Sequence, residues 1–328
     1  MATYGGSSDV SAGYTLSLGL GLSTDVSTRS SPVEASHLKG LGYSSIYQFK
    51  GIQDLQNRVE KQSDALRDGH TTNQYLVFLG VTKDHLAQID RQRAKTGKHT
   101  RMTHYTETDE LIIKLPTEEH ETAHVSFAKK VNRKLEGMGL PEDSLYGLGA
   151  TKFVGSSSSK EGDSAYKPLC RPGKGQWPTL VVEAGYSETL PKLRADAEWW
   201  LINSGGDVKI VIVIWIEPAS RSLLIEQWCM PLPLALRSGP VTRARSTSNA
   251  NANTNTKVPV KTQELTVIQD PPIPHPPGTI PTYTVTGAPL TLEFEKLLLR
   301  APVPPAGNVI FTAADLQAWA ERYWYMLG

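Results

Sequence analysis

PTLVVEAGYSETLPKLRADAEWWLINSGGDVKIVIVIWIEP, residues 178–218, holds two apolar runs separated by a segment of helical length. The first run, residues 179–184, is hydrophobic except for Glu183. A carboxylate inside such a run must be paired, metal-bound or neutralised, because an unpaired charge is costly to take out of water. Residues 188–203 carry helical spacing and stop at Ser204-Gly205-Gly206, a glycine terminator. The second run, VKIVIVIWI from Val208, has no polar interruption after Lys209. That is the pattern of a central strand covered on both faces, as in α/β proteins. The stretch predicts strand, helix and strand, with one acid to be accounted for.

On the N-terminal side, DELIIKLP (residues 109–116) is a short apolar strand ended by Pro116, and Thr117 opens an amphipathic helix that runs to Gly137. His120, His124, Phe127, Val131 and Leu135 fall on one face of that helix. Residues 150–155 read as a strand, followed by an exposed Ser/Gly/Lys loop and an extended segment around residues 165–168. On the C-terminal side, SLLIEQWCMP (residues 222–231) alternates Leu224, Glu226 and Trp228 against Ile225, Gln227 and Cys229. It predicts a further strand near the sheet edge, where the sheet ends, giving about four or five strands with helices on both faces.

Around this core the composition changes. Residues 1–45 are rich in Gly, Ser and Thr with isolated apolar residues and read as a disordered tail. Residues 46–108 show helical periodicity, with Thr82 placed as an N-cap, and read as a helical segment. Residues 109–236 form the core. Residues 237–281 join an Asn/Thr/Ser tract to a Pro-rich stretch and read as a flexible low-complexity linker. Residues 282–328 give a strand or two and a helix capped by Thr312. On that helix the stripe Leu316, Trp319, Ala320 and Tyr323 docks back on the core.

At 328 residues with 39% hydrophobic content, the chain has material for a core that needs no covalent staples. Cys170 and Cys229 are too few for a disulfide framework and lack the spacing of a zinc ribbon. A reducing compartment, cytoplasm or nucleus, is therefore expected, with no disulfide-linked partner. The beginning of the chain lacks the pattern of a secretory signal, and no apolar run reaches the roughly eighteen residues of a membrane span. A net charge of +1 announces no global basic field for nucleic acid. No GxxxxGK[ST] arrangement is present, which disfavours a phosphate-binding loop of that type.

A strand ending in Glu, preceded by an acid in an extended segment and followed by a helix and a parallel strand, resembles the PD-(D/E)XK superfamily of restriction-endonuclease-like phosphodiesterases. The resemblance covers about residues 109–228. Its nearest match is the restriction-like branch reading P-x-L-V-V-E-x-x-x-S, here Pro178, Leu180, Val181, Val182, Glu183 and Ser187. The wider architecture, with its L-x-x-W-A helix, is similar to fungal proteins carrying such a domain, a likeness that implies no function. The superfamily resemblance implies a mixed sheet flanked by helices and a Mg²⁺-dependent nuclease acting on DNA or RNA. It implies that Asp163 and Glu183 hold the metal, assisted by the Ala184 carbonyl, because hard oxygen ligands suit Mg²⁺. The lysine slot is occupied by Gly185, so Lys192 on the following helix is the preferred catalytic cation, ahead of Arg194 and Lys209. Glu118, Glu119 and Glu121 lie in a first helical turn, where carboxylates also compensate the helix dipole.

Two other readings stand beside this one. With Gly185 in the lysine slot, the domain is a degenerate nuclease that binds a protein or nucleic-acid partner without catalysis. Alternatively, His120-Glu121-Thr122-Ala123-His124 fits HExxH, in which two histidines bind zinc and Glu121 is the general base of a metallopeptidase. No HxxGxxH continuation follows, and Glu136, Glu142 and Glu198 are only nominal third ligands. The bland reading pairs Glu183 with Lys192 or Lys209 and leaves Asp163 as a loop carboxylate.

Overall fold

The structure is a computed structural model and describes residues 41, 46–97, 99–186, 190–231, 258–273 and 281–328. The chain opens with β1 (Ile46–Gln48), α1 (Ile52–Arg67), β2 (Tyr75–Leu79), α2 (Lys83–Arg91), α3 (Arg93–Thr96), β3 (Arg101–Tyr105) and β4 (Glu110–Lys114). Next come α4 (Glu118–Gly137), β5 (Leu145–Gly147), β6 (Lys152–Val154), β7 (Ser158–Glu161) and β8 (Ser164–Pro168). The central unit is completed by β9 (Leu180–Tyr186), α5 (Leu190–Asn203), β10 (Ile210–Glu217) and β11 (Ser222–Cys229). The chain ends with β12 (Val260–Asp270), β13 (Thr282–Thr286), β14 (Leu290–Leu292), α6 (Phe294–Leu298), β15 (Val309–Phe311) and α7 (Ala313–Leu327).

These strands make a mixed α/β architecture. A seven-stranded sheet runs β13-β12-β11-β10-β9-β8-β5, a six-stranded sheet runs β1-β2-β4-β3-β7-β6, and β14 pairs with β15. Strand β9 is antiparallel to β8 and parallel to β10, with α5 as the crossover between the parallel pair. This is the strand, helix, parallel-strand layout read from residues 178–218.

Period-two alternation along β9 sorts its side chains between two cores. Leu180, Val182 and Ala184 join Phe127 and Val131 of α4 on one face. Val181 joins Leu193, Ala197 and Trp200 of α5 on the other. Helices therefore cover both faces, which explains why β10 is apolar up to Ile216: Ile210 to Ile214 are all fully buried. Each such side chain contributes roughly 1.5–3 kcal/mol of transfer free energy. Thr117 caps α4 by accepting from the His120 N–H, and Thr82 and Thr312 cap α2 and α7 with capping boxes, as the sequence predicts. Helix α7 docks through Leu316, Trp319, Ala320 and Tyr323, all buried, and the Trp319 indole donates to Ser126 on α4.

Three expectations are corrected. Residues 46–108 are not wholly helical: YLVFL forms β2 and RMTHY forms β3, because each is buried between neighbouring strands of the six-stranded sheet. The seven-stranded sheet does not end at β11, since β12 pairs along it and β13 follows. Residues 260–270, placed in the linker, are thus a strand, with Leu265 and Val267 buried. Low-complexity sequence on either side masks this short alternating run. The expectations for residues 1–40, 232–257 and 274–280, and the Ser187 end of the P-x-L-V-V-E-x-x-x-S match, lie outside the described residues.

Candidate functional site

The two predicted acids meet where the two sheets approach each other. Asp163 immediately precedes β8, and its Oδ2 accepts the Ala184 N–H of β9 at 2.9 Å. Glu183 points from β9 to the α5 face, where the Trp200 indole donates to Oε1 at 2.6 Å. Both carboxylates are almost fully buried, Asp163 at 3% and Glu183 at 1% exposure. Gly162, beside Asp163, is needed for this approach: a Cβ there would come within 2.9 Å of the Trp200 ring.

Lys114, the last residue of β4, reaches this junction from the other sheet. Its Nζ donates to Asp163 Oδ2 at 2.6 Å and to the Ala184 carbonyl at 2.6 Å, and lies 4.0 Å from Glu183 Oε2. These are the oxygens that the sequence reading assigns to a divalent cation. The donor set of two carboxylates and one backbone carbonyl fits a hard cation, and an ammonium group is seated among them.

A second cation, Lys160 of β7, stands 3.7 Å from Glu183 Oε1 and 2.9 Å from Asp196 Oδ1 on α5. Lys192, the predicted catalytic lysine, is buried in the same cluster but pairs with Asp196, one helical turn along α5. Among the described residues, the lysines paired with Glu183 are thus Lys114 and Lys160. Arg194 instead forks onto Glu226, and Lys209 donates to the Gly206 carbonyl. Gly185 pairs with Trp215 inside the sheet.

The electrostatics follow from burial and these pairings. Desolvation raises the Glu183 carboxyl to about 7, against the lowering influence of Lys160. Burial would raise Asp163 too, but His120 and Lys114 outweigh it and hold that carboxyl well below its usual range. Desolvation pushes His120 down to about 4 despite Asp163, whose Oδ2 is 2.8 Å from His120 Nε2. Burial lowers Lys192, whereas for Lys160 the attraction of Asp196 and Glu183 overcomes burial and raises it. Asp196 is held low by Lys160 and Lys192, which overcome its own desolvation.

The space around these groups is small. The cavity lined by Lys114, Lys160, Glu183, Lys192 and Asp196 measures about 10 Å³, roughly the minimum for one water. A far larger cleft of about 580 Å³ lies nearby, bordered by Arg67 of α1 and by Leu115, Thr117, Glu118 and Glu119 at the start of α4. On α4 itself, Glu121 faces both histidines of HETAH, lying 3.8 Å from His120 Nδ1 and 3.2 Å from His124 Nε2. Glu121 also pairs with Arg101 at 3.0 Å. Asp196, Lys114, Lys160 and Trp200 were not singled out as site residues from sequence. Lys192 and Asp196, four apart on a helix, were the readable part of that set.

No protein-family model matches the chain, and no curated protein matches it. Among solved structures it is similar to the crystal structure of a "putative nuclease belonging to DUF820" from Anabaena variabilis ATCC 29413. The identity is 12%, the TM-score is 0.32, and the match covers 67% of this chain and 90% of that one. None of these findings bears on the fungal likeness. No helix among the described residues is long and apolar enough to cross a membrane.

Proposed function

We propose that the chain is a metal-dependent phosphodiesterase of the restriction-endonuclease-like type, acting on nucleic acid. The observation that supports this reading is the convergence of Asp163 Oδ2, Glu183 Oε2 and the Ala184 carbonyl on one cationic centre, the Lys114 ammonium. In this reading Asp163, Glu183 and the Ala184 carbonyl would hold Mg²⁺, which would supply Lewis-acid charge toward a scissile phosphate and acidify a water. The chain's own groups do the rest. The Ala184 N–H and His120 orient Asp163, and the Trp200 indole orients Glu183. Lys160, beside Glu183, supplies fixed positive charge for an anionic substrate, while Lys192, the preferred cation of the sequence reading, pairs with Asp196.

A second reading is a nuclease-like domain that binds without cutting. It is favoured by the cavity of about 10 Å³, which admits no phosphodiester in this conformation, and by the ammonium seated among the metal-type oxygens. Cleavage of labelled single- and double-stranded DNA and RNA in Mg²⁺ or Mn²⁺ separates the two. The enzymatic reading expects metal-dependent cleavage that Asp163→Asn and Glu183→Gln abolish. These conservative variants are chosen because alanine would leave buried lysines without partners. No cleavage by the wild type, or cleavage equal in both variants, rejects it.

A further inference from the structure

His120 and His124 lie four residues apart on the inner face of α4 and are 0% and 1% exposed. A core histidine ordinarily satisfies both ring nitrogens, because an unpaired buried polar atom costs the full desolvation of that group. Here one nitrogen of each ring lies against the start of β8. His120 Nε2 lies 2.8 Å from Asp163 Oδ2, and His124 Nδ1 is hydrogen-bonded to Ser164 Oγ at 2.7 Å. The other nitrogens, His120 Nδ1 and His124 Nε2, are buried and have the Glu121 carboxylate as their ion-pair neighbour. Both are turned toward the Glu121 carboxylate, and the three ligand atoms lie within 4.8 Å of one another.

We propose that His120 Nδ1, His124 Nε2 and Glu121 form a binding site for a zinc-type divalent ion, distinct from the oxygen-lined seat at Asp163, Glu183 and Ala184. The donor set decides the metal class: two imidazoles and one carboxylate suit zinc, whereas Mg²⁺ prefers oxygen ligands and water. Zinc binds such donors at about 2.0–2.2 Å, so the three atoms need only draw inward through side-chain rotation. Asp163 and Ser164 then serve as outer-shell partners that fix the orientation of each ring, an arrangement typical of metal-bound histidines. Glu121 is the partly exposed member, at 40% of its side chain, and gives the ion a route from solvent. Its Oε1 is shared with Arg101, leaving Oε2 for the ion. The site differs from the peptidase reading of HETAH, because Glu121 is a ligand here and not a base for water. It does not depend on the nuclease proposal.

The test is titration of the full chain with Zn²⁺ alone, after chelation and dialysis, by isothermal calorimetry. One equivalent should bind, with affinity lost in the His120→Gln/His124→Gln double variant and reduced about tenfold in Ser164→Ala. Glu183→Gln should bind zinc as the wild type does. No binding by the wild type overturns the proposal, as does binding that survives the double histidine variant. Zinc binding lost in Glu183→Gln but kept in the histidine variants would put the ion in the other seat, and equally overturns it. Co²⁺ added to the wild type gives a reading that needs no variant. A visible absorption band of tetrahedral cobalt is expected, and its absence counts against the site.

Discussion

Lys114 and Asp163 form a 2.6 Å ion pair between the last residue of β4 in one sheet and the residue preceding β8 in the other. Their side chains are 6% and 1% exposed, so little water screens the pair. The same ammonium donates to the Ala184 carbonyl, and the same carboxylate accepts the Ala184 N–H. The pair therefore clamps β9 at the residue after Glu183. A charge pair in this setting is expensive to break from one side, because the remaining partner stays buried without compensation.

Lys114→Met is accordingly expected to destabilise the protein by about 3–5 kcal/mol, leaving Asp163 uncompensated. Combining it with Asp163→Asn should cost less than the sum of the two single changes, since no lone charge then remains. Urea unfolding of the two singles and the double measures this. Additive costs would mean that the two groups do not act as a pair.

Gly162→Ala tests the packing that supports Glu183. A methyl group at 162 would meet the fully buried Trp200 ring at 2.9 Å, and that ring donates to Glu183. A rigid indole in a filled core yields only by displacement, at about 1–3 kcal/mol. The expected result is a lower unfolding midpoint with a shifted Trp200 environment in near-ultraviolet circular dichroism. Wild-type stability and spectrum together would show that the glycine is dispensable.

Much of this was readable from the chain, for identifiable reasons. Strong periodicities placed α4, β9, α5 and β10 close to their observed limits, because both faces of the central strands are buried and the helices cover them. Asp163, Glu183 and the Ala184 carbonyl were grouped by the superfamily resemblance, and in the structure Asp163, immediately before β8, lies against Ala184 of the neighbouring β9. Lys114 and Lys160 were not legible, since they come from a different sheet and no spacing rule connects them to Glu183. A trace existed in ELIIK, where a lysine continues an apolar strand before Leu115. Strand β2 was missed because helical segments flank it, and β12 because of the low-complexity sequence around it.

The stability of the metal-free protein should show two opposed pH responses, measured in chelator. Glu183 sits near 7 in the folded chain against an ordinary 4.5. The native state therefore holds a proton that the unfolded chain has released, and this contribution is full below 4.5 and is lost as pH rises through 7. His120 is lowered from 6.5 to about 4, so the unfolded chain binds the extra proton. That contribution is full above 6.5 and is lost as pH falls to 4. Between 4.5 and 6.5 the two oppose each other. Glu183→Gln should expose the histidine response, with the urea midpoint climbing with pH over that interval, and His120→Gln should expose the opposite slope. Two variant profiles parallel to the wild type would remove the assignment.

In the proposed seat, Lys114 and a divalent ion compete for the same oxygens. In Lys114→Met, Asp163 Oδ2 and the Ala184 carbonyl lose the ammonium they contact, and the Asp163 charge remains. Millimolar Mg²⁺ should then restore part of the lost stability, because an ion that binds only the folded state adds RT ln(1 + [L]/Kd). At a concentration of one hundred times Kd this amounts to about 2.7 kcal/mol, a large fraction of the deficit. The wild type, with its seat occupied by lysine, should gain much less. The Lys114→Met/Asp163→Asn double variant should gain nothing beyond the effect of ionic strength, since the charged ligand is absent. Urea midpoints with and without Mg²⁺, at matched ionic strength, decide the matter. An equal shift in all three proteins, or none in Lys114→Met, means that these oxygens form a lysine clamp and not a cation seat.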